Sequence, residues 1–385
     1  MTTANDVVIT GLGLVSGAGV GADAQLAFLA GPIGARKLSL TDFKPAPYFS
    51  DKKMLKAMSH TDAIGLAAVE MLKKDAGWGT IGVTPERIGM YVGAPPSGAS
   101  DNAYYMEEQR AARDEQGKGS LAAFGKTCMG SKPSTLLIGL PNNVLCYGAM
   151  VLDARGPNSN YTSSGPSGMI AVMNGAKRVA RGQLDLAVAG GFSAYHSDPM
   201  NKEAVISGGR PEAPVADGAA FVTLERRAAA EARGAKTYAT VAGYAQGSDG
   251  MGPWAFDPHG AALENAVRRA MQQAGLGAGD VGLVLVSGTG TRSANEAELA
   301  VLARVFPKGR DVPALGAFSR AFGNLVEAGG VMELALAARI VASGALPASL
   351  ALTEKTGPID RSKPGILVLR TSFSGDYACV ALRGD

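Results

Sequence analysis

Two adjoining stretches decide the fold class. Ser167-Gly168-Met169-Ile170-Ala171-Val172-Met173 runs on to Arg178-Val179-Ala180-Arg181-Gly182, and Leu184-Asp185-Leu186-Ala187-Val188-Ala189-Gly190-Gly191 follows at once. The first has small and apolar residues at helical spacing, a basic last turn and a glycine stop, which predicts a helix over 168–181. The second is a near-continuous apolar run, which reads as a strand buried on both faces beneath covering helices. A faint copy of the helical part recurs at Gly329-Gly330-Val331-Met332-Glu333-Leu334 through Arg339-Ile340-Val341-Ala342-Ser343-Gly344-Ala345-Leu346. Two copies of one α/β unit explain the echo. The alternative is that any two alanine-rich helices with glycine caps look alike.

Outward from this unit, Val7–Gly11, Ile88–Gly93 and Leu283–Gly288 are further short apolar runs ending in glycine. Between them, Asp62–Lys74, Gly260–Ala274, Ala294–Phe306 and Ala328–Ser343 read as helices. Such alternation predicts an α/β protein of layered sheets. Tyr104–Lys132 is polar and reads as an insertion with its own helix, and no linker rich in Pro, Ser or Gly separates independent domains.

The 385 residues include 37 Lys+Arg and 34 Asp+Glu, a balance that argues against nucleic acid or a membrane surface as partner. Cys128, Cys146 and Cys379 show no CxxC spacing, so neither a disulfide framework nor a metal site is expected, and a reducing cytoplasm suits them. The start MTTANDVVITGLG lacks a basic segment leading into an apolar one, and no apolar run reaches the roughly 18 residues of a membrane span. No GxxxxGK[ST] or GxGxxG unit supports nucleotide binding, so no cofactor is expected.

The opening Val7-Val8-Ile9-Thr10-Gly11-Leu12-Gly13-Leu14-Val15-Ser16 resembles the start of the β-ketoacyl-acyl-carrier-protein synthases. So do Ala154-Arg155-Gly156-Pro157, the strand end Ala189-Gly190-Gly191, Arg210-Pro211, Asp217-Gly218-Ala219-Ala220 and Gly288-Thr289-Gly290-Thr291. Gly323-Asn324-Leu325-Val326-Glu327-Ala328-Gly329-Gly330 and Phe373-Ser374-Gly375 complete the series, in family order along the whole chain. The resemblance implies the thiolase-like fold: two similar βαβαβαββ halves, 1–235 (with an insertion at about 95–135) and 236–385, in five αβαβα layers as one compact unit.

That family condenses acyl groups with a Cys at the start of a helix and two His that stabilise the oxyanion and assist decarboxylation. Here all three positions differ. The turn reads Ser163-Ser164-Gly165-Pro166-Ser167-Gly168, which puts Gly165 at the nucleophile position. Ser287 precedes Gly288-Thr289, and Asn324 follows Gly323, where the family has its histidines. Ser287 and Asn324 lie 37 residues apart, the family separation. The lysine five positions before the second histidine is replaced by Ser319, and the gating turn reads Phe373-Ser374-Gly375-Asp376-Tyr377. Glycine offers no nucleophile, and neither Ser nor Asn shuttles a proton near pH 7.

The resemblance therefore implies a non-catalytic chain-length factor, which pairs with an active ketosynthase (α) subunit served by acyl carrier protein. Asn142, Asn143, Cys146, Met150, Asn160 and Tyr161 are the candidates for the subunit interface and for the tunnel holding the acyl or polyketide chain. Cys146 is read mainly as a small buried hydrophobe. Two other readings stand: a homodimeric acyltransferase or hydrolase using Ser167 or another hydroxyl near the degenerate site, to which Ser164 also belongs, and a module that binds acyl groups or carrier protein. A serine nucleophile needs a base, and only His60, His196 and His259 are present, none on an active-site strand. The alternative for the serines is a turn held by hydroxyl–backbone hydrogen bonds. Lys177, Arg178, Arg181, Arg226, Arg227 and Arg233 form either a face for an acidic carrier protein or an ordinary solvated surface.

Overall fold

The computed structural model describes residues 3–31, 37–95, 110–128, 138, 140–194, 213–252, 255–288, 292–306, 312–352, 359–372 and 374–384. The first half runs β1 (Val7–Ser16), α1 (His60–Asp75), β2 (Ile88–Gly93), α2 (Asn143–Leu152), β3 (Asn158–Tyr161), α3 (Ser167–Ala180), β4 (Leu186–Ser193) and β5 (Gly218–Arg226). The second runs β6 (Ala239–Ser248), α4 (Ala261–Ala274), β7 (Val281–Leu285), α5 (Arg292–Val305), β8 (Ala314–Gly316), α6 (Val326–Ser343), β9 (Gly365–Thr371) and β10 (Asp376–Arg383). Of the expected insertion, the described residues include a helix at Leu121–Cys128, and much of the remainder lies outside them.

The strand order is β3-β2-β4-β5-β1 and then, in mirror sequence, β6-β10-β9-β7-β8. Pairing senses match throughout: β2 is parallel to β3 and β4 as β7 is to β8 and β9, while β5 and β10 are antiparallel to both neighbours. The same βαβαβαββ path is thus walked twice, and the sheet is mixed. Val8 opposite Thr240 and Ile9 opposite Ala239 join the halves.

Helices α1 and α2 cover the outside of the first half, and α4 and α5 that of the second, with α3 and α6 between the two halves of the sheet. A helix in that central layer must be apolar all round. Residues 326–338 of α6 are all buried, which is why its sequence shows almost no polar stripe. Packing in this layer is at backbone contact. A Cβ on Gly168 or on Gly191 would strike the carbonyl oxygen of Glu327. Glycine is the only residue that permits this approach.

Helix α1 starts on a capping box in which the Ser59 hydroxyl accepts from Asp62 N at 3.0 Å and the Asp62 carboxylate accepts from Ser59 N at 3.1 Å. Among the described residues no helix is long and apolar enough to cross a membrane.

Candidate functional site

The C-terminal end of β9 is where the candidate site positions meet. Its last residues, Arg370 and Thr371, lie between the N-terminal ends of α3 and α6. Gly165 sits in the turn from β3 into α3, and a Cβ placed on it would lie 2.6 Å from the carbonyl oxygen of Thr371. The position that the resemblance assigns to the nucleophile is therefore closed by backbone. The preceding residue, Ser164, has φ 53°, a left-handed conformation uncommon outside glycine, and its buried Oγ has no hydrogen-bond partner among the described residues. Ser167, fully buried, accepts from Ser163 N at 2.7 Å. The hydroxyl–backbone reading of this turn holds for Ser167.

Ser287 and Asn324 are tied into a buried polar cluster that the sequence did not reveal. The hydroxyls of Ser287 and Thr371 both donate to Glu298 Oε1 and stand 3.1 Å from each other. Arg370 Nη1 donates to the carbonyl of Ser287 (3.1 Å) and to Glu333 Oε1 (3.3 Å). Its Nη2 donates to Asn324 Oδ1 (3.0 Å) and to the carbonyl of Val326 (3.2 Å). Val326 N also donates to Asn324 Oδ1, at 3.0 Å. Val326 has φ 39°, an outlier for a β-branched residue, and Asn324 and Arg370 clamp its backbone from both sides.

The cluster has one guanidinium facing two fully buried carboxyls. Burial pushes the Glu333 carboxyl up to about 8 despite the pull of Arg370, and Glu298 adds to the rise. Burial also raises Glu298 against the opposing hydrogen bonds from Ser287 and Thr371. One cation cannot neutralise both acids, so the cluster retains a proton near neutral pH. Ser319, at the start of the short helix Ser319–Phe322, is buried beside Gly288, whose added Cβ would meet its Oγ. Among the described residues the cation of the cluster is Arg370, from β9.

The structure thus brings Gly165, Ser167, Ser287, Ser319 and Asn324 together. Phe373 lies outside the described residues, as do His196 and Thr289–Thr291. His60 Nε2 is engaged with the carbonyl of Leu40 at 2.7 Å, and His259 lies in the exposed turn before α4, so neither reaches the serines. Glu298, two residues after Glu296 in a polar stretch, gave no signal, whereas that for Arg370 and Glu333 was a lone charge inside an apolar run, as in Ile366-Leu367-Val368-Leu369-Arg370. Such a residue is almost never buried unless paired.

The interface candidates fall into two groups. Asn143 is internal: its amide donates to Asp62 Oδ2 (3.1 Å) and the carbonyl of Ile138 (3.2 Å), so it holds α1 to α2. Cys146, expected to be buried, is exposed, and Met150 is 70% exposed, because α2 turns its Gly148 side inward onto Met90. Asn142 donates to Cys146 Sγ at 3.3 Å. Beside them β3 is an edge strand, in which Asn160 carries a buried Oδ1 with no partner among the described residues and Tyr161 is half-buried. Two of the basic residues are absorbed internally: Arg233 pairs with buried Glu225, and Arg227 donates to Thr240 Oγ1 at 2.7 Å.

Known proteins agree with this frame. The model of the β-ketoacyl synthase N-terminal domain matches residues 29–201, and that of the C-terminal domain residues 238–353. Mellein synthase of Phaeosphaeria nodorum is 28% identical over 250 residues, 61% of this chain but 14% of that much longer protein. The tetracenomycin polyketide synthase ketoacyl synthase alpha subunit of Streptomyces glaucescens is 27% identical over 377 residues, 89% of this chain and 86% of its own. The solved ishigamide ketosynthase/chain length factor superposes with a TM-score of 0.82 at 20% identity, covering 99% of both chains, a likeness of fold. With both domain models matched in order along a twice-walked βαβαβαββ path, this chain belongs to the β-ketoacyl synthase family.

Proposed function

We propose that this chain is a non-catalytic member of its family, a chain-length-factor-like subunit that pairs with an active ketosynthase and helps wall the tunnel for a carrier-protein-bound acyl or polyketide chain. The observation that carries this reading is the closure of Gly165 against the Thr371 carbonyl, 2.6 Å from where a Cβ would stand. A thioester needs a side chain at that point and space beside it. Ser287 and Asn324 serve a structural cluster, which gives them a role without catalysis. The edge strand β3, with exposed Cys146 and Met150 next to it, supports a partner along that side. That a similar fold occurs in a solved ketosynthase/chain length factor is in keeping with it.

The test is co-expression with a neighbouring ketosynthase, followed by elongation assays on malonyl-loaded carrier protein. The pair should elongate and this chain alone should not; elongation by the chain alone sinks the reading. A serine acyltransferase is the second reading, favoured by the strained turn and unpartnered Oγ of Ser164. Incubation with acyl thioester and mass mapping distinguishes them, since only the second reading leaves an acyl group on Ser164.

A further inference from the structure

We propose that a basic groove at the far end of α6 from the Gly165 turn binds a phosphate-bearing small molecule of nucleotide size. The groove encloses about 570 Å³, inside the ~300–1,000 Å³ range of small-ligand sites. Among the described residues its charged lining side chains are Lys236, Arg339, Arg361 and Lys363, with no carboxylate. In a chain with 37 basic and 34 acidic residues, such segregation is local.

Three separate elements converge there. Lys236 and Tyr238 come from the segment leading into β6, Arg339 from the last turns of α6, and Arg361 and Lys363 from the segment before β9. A structural reading covers part of this. Arg361 Nη2 donates to the carbonyl of Ala342 at 2.6 Å, and cations gather naturally at a helix C-terminus. That use takes one of five guanidinium donors, and it gives no reason for Lys236, whose ammonium lies 4.4 Å from the Tyr238 ring centre. Arg339 is paired with Asp23 at 2.8 Å, but Asp23 is 90% exposed, so solvent screens that pair.

An adjoining hollow of about 600 Å³ shares Lys236, Tyr238 and Arg339, adds Lys74, and also holds Asp23 and Asp75. Asp75 is occupied there, accepting from Leu12 N at 2.8 Å and from the Tyr238 hydroxyl at 2.9 Å. Asp360, the acid beside Arg361 and Lys363, is exposed and accepts from Ser362 N (3.0 Å) and Oγ (2.6 Å). Among the described residues no carboxylate therefore lines the Arg361–Lys363 end, and this is the place for phosphate, where the planar Arg fork matches two oxygens and the lysines act as point charges. A lone phosphate would leave most of the volume empty, which is why a nucleotide-sized ester is the better fit.

The groove is separate from both regions invoked above. Arg339 lies 13 residues beyond Val326 on α6, about 20 Å along the axis. The β1–β6 seam is four strand spacings from β3, about 19 Å. A ligand here therefore neither needs the closed turn nor competes with a subunit on the β3 edge.

The experiment is calorimetric titration of the purified chain, at low ionic strength, with ADP, pyrophosphate and inorganic phosphate. ADP should bind with Kd below 1 mM and more tightly than pyrophosphate, which should displace it. Arg361→Ala with Lys363→Ala should weaken ADP at least tenfold, and Lys236→Met should weaken it less, with circular dichroism unchanged in each. Absence of ADP binding up to several millimolar, or equal affinity in the double variant, overturns the site. Pyrophosphate binding as tightly as ADP overturns the nucleotide-sized ligand.

Discussion

Helices α3 and α6 occupy equivalent places in the repeat, and each begins close to a non-glycine residue with positive φ, Ser164 at 53° and Val326 at 39°. These two helix starts are built differently. At α6 the strained backbone is clamped by Asn324 and Arg370, inside a cluster that also engages Ser287, Thr371, Glu298 and Glu333. At α3 the strained residue keeps a hydroxyl with no partner among the described residues, and its neighbour Gly165 is shut in by a carbonyl. One helix start is held by a dense network of side-chain hydrogen bonds, while the other is held by close backbone packing. Stability should therefore depend on the start of α6 far more than on the start of α3.

The largest effect should come from Arg370→Met. It leaves two buried carboxyls without a cation and unclamps Val326, a loss of about 3–5 kcal/mol measurable by urea unfolding. A loss below 1 kcal/mol would put the two helix starts on an equal footing. Next is Gly165→Cys, which overpacks against Thr371 and should cost about 1–3 kcal/mol while conferring no elongation activity on the chain alone. A stable variant that reacts quickly with iodoacetamide would show the turn to be open after all.

The α6 cluster should also make stability depend on pH. Folding raises the Glu333 carboxyl from its ordinary value of 4.5 to about 8, so the folded state holds a proton that the unfolded state has released. Stability should fall as pH rises from about 4.5 to 8 and flatten above, at up to about 1.4 kcal/mol per pH unit. Glu333→Gln should lessen that slope and leave the part due to Glu298, which burial also raises, read from urea midpoints across the range. The smallest effect is expected for Ser164→Gly, which relieves the left-handed backbone and the orphan hydroxyl and should stabilise by about 1 kcal/mol. Destabilisation would mean that Ser164 has a partner when the protein is assembled.

Much of the frame was legible because burial writes itself into apolar runs. Leu184–Gly191 became β4, and the echo between 167–184 and 329–346 became the paired helices α3 and α6. Strands β5 and β6 were not visible, since Ala239-Thr240-Val241-Ala242-Gly243-Tyr244-Ala245-Gln246-Gly247-Ser248 mixes small and polar residues without a clean alternation. Gly165, Ser287, Ser319 and Asn324 were found by motif spacing and do converge on one place. Arg370 and Glu333 escaped because periodicity marks them as misfits without saying where they meet, and Glu298 because its polar stretch does not mark it; their pairing depends on elements distant in sequence. Cys146 misled because a residue type's average burial says nothing of which side of α2 faces out.

The carbonyl of Glu327 is pressed by Gly168 from one helix and by Gly191 from the neighbouring strand. A single methyl group added at either position would act as a wedge, felt in both halves at once because each half rests on that oxygen. The least replaceable groups beside this site are therefore hydrogen atoms, and whatever side chains the neighbouring turns carry, they stay bound to an architecture set by two glycines.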